Sequence, residues 1–369
     1  MIFLIGEIEM KLKKVAKRVL QILGVIVGIP VLGFLLIILY LTITEYKPAE
    51  VEALEINGQS TKELKAGDSL TALSWNVGYA ALGETADFFM DGGKSVASST
   101  KDQVKENLEA ITKQVTAADP DVVFFQEVDL DSKRSYHIDE KQVLDAALAE
   151  YQSTMSINFR VAYIPYPFPT IGKVEGGIAT FSKYDIKEAN RLALPCPFSY
   201  PVSIGNLKRC LAVQRIPVAE SDKELVLVNL HLEAYDDGEG KIEQTKVLRD
   251  VIQKEIEAGN YVIAAGDFNQ TFSNTDSSVA PIVSEEMWIP GLLEETEFDD
   301  SLQFLMDSSK PSCRSLDKPY KGADASGFQY YIIDGFIISD NLKVESMETL
   351  DLDFVNSDHN PIQIKVTLQ

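Results

Sequence analysis

Tyr261-Val262-Ile263-Ala264-Ala265-Gly266-Asp267-Phe268-Asn269 is the stretch on which the reading of this chain turns. Its first five residues are an apolar run of the kind that forms a buried strand. The four that follow put a carboxylate and a carboxamide at the strand's C-terminal mouth. Ser357-Asp358-His359-Asn360 places a carboxylate beside an imidazole just ahead of another apolar strand, Pro361 to Val366. Carboxylate, amide and imidazole at strand ends are the groups that metal-assisted hydrolysis of a phosphoester needs.

Working outward, strands and helices alternate from Ser69 on. Leu70 to Asn76, Asp121 to Gln126, Arg160 to Ile164, Gly177 to Ser182, Leu211 to Pro217 and Leu225 to Leu230 read as strands, as do Ile332 to Ile338 and Ile362 to Val366. Val104, Leu108, Ile111 and Val115 recur at helical spacing, so 101–117 is an amphipathic helix that ends before Asp119-Pro120. Residues 140–151 read as helical. Ile242, Leu248, Ile252 and Ile256 are expected to form one face of a further helix that stops at Gly259. Strands outnumber helices, which predicts mixed sheets covered by helices in one domain. Residues 269–329 are long for a loop, so they are either a functional lid or contain further elements.

The strand ends, taken in order, are Ser74-Trp75-Asn76, Gln126-Glu127, Asn229-Leu230-His231-Leu232, Gly266-Asp267-Phe268-Asn269, Ile333-Asp334-Gly335 and Ser357-Asp358-His359. This series resembles the endonuclease/exonuclease/phosphatase superfamily, the DNase I-like metal-dependent phosphoesterases, over about residues 69–369. Gly176-Gly177-Ile178-Ala179-Thr180-Phe181-Ser182-Lys183 looks like that family's central strand. The resemblance implies an α/β, DNase I-like four-layered sandwich: two packed mixed sheets flanked by helices. It implies that Glu127 is the main ligand of a divalent cation, Mg²⁺ or Mn²⁺, with Asn76 assisting and Asp358 contributing. Oxygen ligands without a cysteine cluster agree with a hard cation. By the same resemblance His359 would be the general base, oriented by Asp334. Asp267 and Asn269 would position the nucleophile and bind phosphoryl oxygens, and His231 would donate a hydrogen bond to the transition state. The choice between Asp267 and His359 as proton acceptor stays open at this level, and direct attack by water is expected.

Singly, each residue has a plainer reading. Glu127 could be a surface carboxylate, Asn76 the start of a turn, Gly266-Asp267 a hairpin turn and His231 a core histidine. Their order in one chain is the argument. Arg134, Lys208 and Arg209 are candidates for contacting anionic parts of a substrate, with solvated loops as the alternative. His137 follows Arg134 in the same loop. Ala86-Asp87-Phe88-Phe89-Met90-Asp91-Gly92-Gly93 either lines the pocket or is a buried turn. Tyr163-Ile164-Pro165-Tyr166-Pro167-Phe168-Pro169 is a stiff aromatic segment suited to an apolar part of a substrate or a membrane surface.

The N-terminus stands apart. Lys11, Lys13, Lys14, Lys17 and Arg18 precede Ile22 to Ile43, 22 residues without a charge. That run is long enough for a hydrocarbon core of about 30 Å, and the basic flank predicts N-terminus inside and C-terminus outside. A cleaved signal peptide is the rival reading, disfavoured by the length of the run and by the absence of a small-x-small site before Thr44. Met10 is a second candidate start. The expected organisation is a cytoplasmic basic segment at 1–18, a single-pass cell-membrane anchor at 19–44, a tether at 45–68 and an extracellular catalytic domain at 69–369. From Glu45 on there are 29 Lys+Arg against 54 Asp+Glu, the whole-chain 34 and 56 less the five basic and two acidic residues of the first 44. A net charge of −25 leaves no basic stripe for long nucleic acid. The expected partners are therefore a phosphoester substrate, such as a phospholipid or small phosphoester, and the membrane that holds the helix. A surface nuclease acting on DNA or RNA is the second reading and a non-catalytic binding module the third. Cys196, Cys210 and Cys313 are read as unpaired thiols, with a Cys196–Cys210 bridge as the alternative, since an odd count and a chain able to bury its own core argue against a disulfide framework.

Overall fold

In the computed structural model, residues 2–236, 238–284 and 286–369 are described. The chain divides into two units, 1–45 and 46–369. The first is one continuous helix, α1 (Ile2–Ile43), with Pro30 inside it, which membrane helices tolerate. It is long and apolar enough to cross a membrane.

In the second unit the elements run β1 (Val51–Ala53), β2 (Leu64–Lys65), β3 (Ser69–Asn76), α2 (Lys101–Ala118), β4 (Val122–Asp129), α3 (Glu140–Ala147), β5 (Gln152–Ile164) and β6 (Gly172–Ser182). Then come β7 (Glu188–Ala193), β8 (Cys210–Ala219), β9 (Glu224–His231), α4 (Glu239–Glu257) and β10 (Tyr261–Asp267). The remainder is β11 (Gln270–Phe272), β12 (Gly291–Leu293), β13 (Leu302–Leu305), β14 (Cys313–Arg314), β15 (Tyr330–Tyr331), β16 (Asp334–Ser339), β17 (Leu342–Thr349) and β18 (Ile362–Leu368).

Two mixed sheets result. One has the order β1-β7-β8-β9-β10-β16-β13, with β2 added to β8; the other has the order β17-β18-β3-β4-β6-β5. Parallel pairing joins β3 to β4 and β9 to β10, while β16 and β18 return antiparallel to β10 and β3. The sheets pack face to face through Leu70, Ala72, Phe124, Leu227, Ile263 and Ile364, all buried. Val104, Leu108, Ile111 and Val115 of α2 cover the outer face of the second sheet against Leu73, Trp75 and Phe125. Leu248 and Ile252 of α4 cover the outer face of the first. The expected four layers are therefore present, and alternation along β18 shows why. Ile362, Ile364, Val366 and Leu368 are buried while Lys365 is exposed.

Some boundaries differ from the sequence reading. β5 starts eight residues before Arg160, because its first half is polar and the polar residues Gln152, Ser153, Thr154 and Ser156 are buried by pairing with β6. Ile242 is exposed, and α4 turns Lys241, Gln244, Thr245, Leu248 and Ile252 inward instead. The long 269–329 segment holds β11, β12, β13 and β14, of which β13 extends the first sheet beside β16. The span expected to be a tether supplies β1 and β2. All three cysteines are free thiols.

Candidate active site

Strand direction gathers the site. β3, β4, β9 and β10 end at the same edge at which β16 begins and the loop before β18 arrives. Register makes this concrete: Asp267 is paired with His231 on one side and with Asp334 on the other. Gly266 is required for that approach, because at φ +153° a Cβ would lie 1.9 Å from the Leu230 carbonyl oxygen of the parallel neighbour. Just beyond, Asn269 adopts a left-handed φ of 51°, which asparagine tolerates, and its backbone N–H donates to Asp267 Oδ1 at 2.9 Å.

A bulge aims Glu127. The register of β4 against β6 shifts between Phe125 and Val128, and Glu127 takes φ 55° there. Gln126 is turned inward by the same irregularity and donates to Asn229 Oδ1 at 2.9 Å. Glu127 thereby faces the cavity instead of the sheet.

At the centre lies Asp267 Oδ2. Asn76 Nδ2 donates to it at 3.0 Å, His231 Nε2 lies 3.4 Å away and His359 Nε2 lies 3.8 Å away. His359 Nδ1 bonds Asp334 Oδ2 at 2.8 Å. Ser312 Oγ accepts from the backbone N–H groups of Ile333 and Asp334, and Trp75 Nε1 donates to the His359 carbonyl at 2.9 Å, so both partners are fixed from behind. Ser357 Oγ donates to the Asn76 carbonyl at 2.8 Å and ties the Asp358-His359 loop to the end of β3.

The electrostatics follow from burial. Burial alone would lower the His359 imidazole, but the Asp334 carboxylate overcomes it and holds His359 well above its usual range. Burial, then Arg209, holds His231 well below its usual range. Asp267 is pushed up to about 7, first by burial and then by the charge of Asp334.

Glu127 and Asp358 are buried carboxyls raised by desolvation, with the charge of Asp358 adding to the shift of Glu127. Two buried oxygen-donor carboxyls in one cavity, with no ion-pair partner of their own among the described residues, are what a hard divalent cation would relieve, so these residues fit one. Asn76 stands differently from the sequence expectation. Its amide nitrogen lies 3.3 Å from Glu127 Oε1 and 3.0 Å from Asp267 Oδ2, while its oxygen accepts from Gly78 N–H.

The candidate substrate residues divide. Arg134 reaches the cavity, held bidentately by Asp129 at 2.9 and 3.0 Å and stacked 3.7 Å over the Tyr79 ring. Arg209 also lines it, paired with Glu233 at 3.2 Å and donating to the His231 carbonyl. Lys208 lies outside the lining, with its ammonium on the Ser203 carbonyl at 2.8 Å. His137 is not in the lining either; it bonds Asp131 on a half-exposed loop. Asn269 turns its amide nitrogen to the Leu232 carbonyl at 2.9 Å.

Sequence reasoning did not single out Tyr235 or Arg314 and took Cys313 only as a thiol; all three line the cavity. Tyr235 donates to Asp91 across the mouth at 2.7 Å, and Asp91 is pushed up to about 6 by burial, Glu127 and Asp358 adding to the shift. Asp91 belongs to the acidic-aromatic stretch read as pocket wall or buried turn, and Phe88, Met90 and Asp91 do line the cavity, which holds about 370 Å³. Tyr235 and Arg314 carry no local signal, since what brings them here is pairing between distant segments.

The model of the endonuclease/exonuclease/phosphatase family matches residues 73–332. Among solved structures, the endonuclease/exonuclease/phosphatase from Beutenbergia cavernae DSM 12333 is 16% identical. That match covers 81% of this chain and 72% of its own, with a TM-score of 0.53. The endonuclease/exonuclease/phosphatase from Bacteroides vulgatus is 17% identical, with 82% and 100% covered and a TM-score of 0.51. D. rerio TDP2 complexed with single strand DNA product is 16% identical, with 81% and 99% covered and a TM-score of 0.48. Comparison with curated proteins finds no match.

Proposed function

The chain belongs to the endonuclease/exonuclease/phosphatase family and is a metal-dependent phosphoric ester hydrolase; on that premise we propose that it hydrolyses a phospholipid or small phosphoester by direct attack of water, with α1 as its anchor and the catalytic unit outside the membrane. The basic residues ahead of the apolar run support that orientation. One observation carries the catalytic reading: Asp267 Oδ2 faces two imidazole nitrogens and one amide at 3.0 to 3.8 Å, in a buried cleft open to a cavity.

In this reading Glu127 and Asp358 hold a divalent cation, Mg²⁺ or Mn²⁺, and Asn76 orients the carboxylates of Glu127 and Asp267. The bound cation supplies neutralisation of phosphate charge. His359, kept protonated by Asp334, donates from Nε2 to a phosphoryl oxygen, and neutral His231 donates alongside it. Asp267 takes the proton of the attacking water. The water oxygen bonds phosphorus as the bond to the leaving oxygen breaks; that oxygen takes a proton from solvent water to become a hydroxyl, and Asp267 returns its proton to solvent. Asn269 holds Asp267 in place through its backbone N–H.

Phe88, Phe159, Ile164, Ile171, Phe198 and Trp288 give the cavity an apolar wall, which supports a substrate with an apolar portion. The net charge of −25 opposes long polyanions. The test is full-length protein with Mg²⁺ or Mn²⁺, beside His359→Ala and Asp267→Asn, on plasmid DNA, RNA, sphingomyelin, phosphatidylinositol phosphates and a generic phosphodiester. Cleavage of a lipid or small ester, lost in both variants and on chelation, is expected. Cleavage confined to DNA or RNA would replace the lipid reading with a nuclease. Activity that survives Asp267→Asn would sink the assignment of the base.

A further inference from the structure

Two loops rich in exposed aromatic and proline residues rise beside the cavity. The first continues β5: Tyr163, Tyr166 and Phe168 are 39%, 70% and 85% exposed. The second runs from β7 to β8, and Tyr200 and Val202 are 61% and 58% exposed. Ile164 and Ile171, at the two ends of the first loop, line the same cavity as Phe198 and Leu207 of the second. The backbones are joined below the rings. Lys208 N–H donates to the Asn158 carbonyl at 2.7 Å, and Arg191 bridges the Ile157 and Lys208 carbonyls. Lys133, from the segment between β4 and α3, bonds the Thr170 carbonyl, and Lys208 bonds the Ser203 carbonyl, so one ammonium sits against each loop.

Exposed apolar side chains gathered on neighbouring loops mark a surface that meets another protein or a membrane. Tyrosine and phenylalanine on proline-stiffened loops, with lysines beneath, have the composition of a surface that sits in the headgroup layer of a bilayer. Chain length limits how far a bilayer holding α1 can lie from Tyr46. Only Thr44 and Glu45 separate the end of α1 from Tyr46, a reach of about 11 Å. The Tyr46 ring is fixed in the second unit, 4.9 Å from the Arg160 guanidinium on β5. Tyr163 lies three residues further along the same strand, about 10 Å away.

We infer that Tyr163, Tyr166, Phe168, Tyr200 and Val202 form a docking surface that seats the cavity mouth on the headgroup layer of the membrane holding α1. The inference rests on the reading of α1 as a membrane anchor. A bilayer with zwitterionic headgroups is the fitting partner, because a unit of net charge −25 is repelled by an anionic one. Docking would bring a lipid phosphoester to the site without its leaving the bilayer, and it adds no residue to the chemistry.

The experiment uses full-length protein in phosphatidylcholine vesicles, in a Cys196→Ser background, with an environment-sensitive dye on Phe168→Cys, Val202→Cys or Leu292→Cys. Leu292 is an apolar residue outside the proposed surface, 60% exposed and so comparable with Val202. A lipid spin-labelled near its headgroup should quench the dye at 168 and 202 at least about two-fold more than at 292. Protein that co-floats with the vesicles but is quenched no more at 168 and 202 than at 292 would overturn the docking surface and leave the anchor standing. Protein that does not float with vesicles would overturn both. Loss of quenching at Val202→Cys when Tyr166→Ser and Phe168→Ser are added would show that the two loops dock as one surface.

Discussion

Asp334 Oδ2 and His359 Nδ1 lie 2.8 Å apart with both side chains buried, and this pair sets the charge state of the site. The carboxylate keeps the imidazole protonated and fixes its ring, so that Nε2 points towards Asp267. Asp334→Asn keeps the shape and removes the charge. The expected outcome is a kcat lower by about 10²–10⁴-fold, the usual worth of a positioned proton donor, with the fold intact by circular dichroism. A variant with normal kcat would show that the charge of His359 is not used.

Glu127 is held in a bulge with a left-handed backbone, facing the cavity and raised by burial. Its cost in the metal-free protein and its use in the loaded one should separate cleanly. Glu127→Gln is expected to unfold at the same or a higher temperature than the parent without metal. Saturating Mg²⁺ or Mn²⁺, at about 100 times its Kd, should stabilise the parent by about 2.7 kcal/mol and the variant by far less. Thermal unfolding with and without the ion reads both. An unchanged metal-induced shift in Glu127→Gln would remove Glu127 from the ligand set.

Much of this site was legible because its residues follow apolar runs whose strand character is strong. Gly266-Asp267-Phe268-Asn269 and Ser357-Asp358-His359 were placed at strand ends by the rule that short apolar runs are buried strands, and their roles came from the order of the whole series. The lean of Glu127 towards the cavity was not legible, since a bulge depends on the partner strand. The first half of β5 was missed because Gln152, Ser153 and Thr154 are buried by hydrogen bonding and leave no apolar pattern. Ile242 misled for the opposite reason: an apolar residue on the solvent side of α4 imitated the core-facing period. Tyr235 and Asp91 meet only because two loops 144 residues apart close over the same cavity.

Glu140 gives a pH test away from the reacting groups. Its carboxyl is fully buried and held well above its usual 4.5, by burial first and by the Asp129 charge second. Oε2 accepts from Asp129 N–H at 2.9 Å, and Oε1 has no partner among the described residues. The folded pKa is raised, so the unfolded chain releases this proton first as pH rises. The stability contributed by the neutral form is complete below about pH 4.5 and is lost as pH climbs towards the folded value. Glu140→Gln keeps the acceptor and cannot ionise. Its urea midpoint should match the parent near pH 4.5 and exceed it increasingly at higher pH, up to pH 8. A parent and variant that run parallel across that range would mean that Glu140 does not titrate in folding.

Asn229 locks the two sheets together behind the site. From β9 its amide nitrogen reaches the carbonyls of Phe125 and Ala179 at 3.2 and 3.0 Å, both on the opposite sheet, while Oδ1 accepts from Gln126. None of this is solvent-exposed, so removing the amide strands several polar groups at once. Asn229→Leu is expected to destabilise by about 3 kcal/mol or more, from unsatisfied donors and acceptors at about 1–3 kcal/mol each. Because Gln126 precedes Glu127 in the bulge, the same substitution should also weaken metal binding, although Asn229 does not line the cavity. A double-mutant cycle with Gln126→Leu separates the effects. Coupling of about 1 kcal/mol or more in stability, with metal affinity reduced in both single variants, is expected. Additive losses with unchanged metal affinity would show that the Asn229–Gln126 bond holds the sandwich without positioning Glu127.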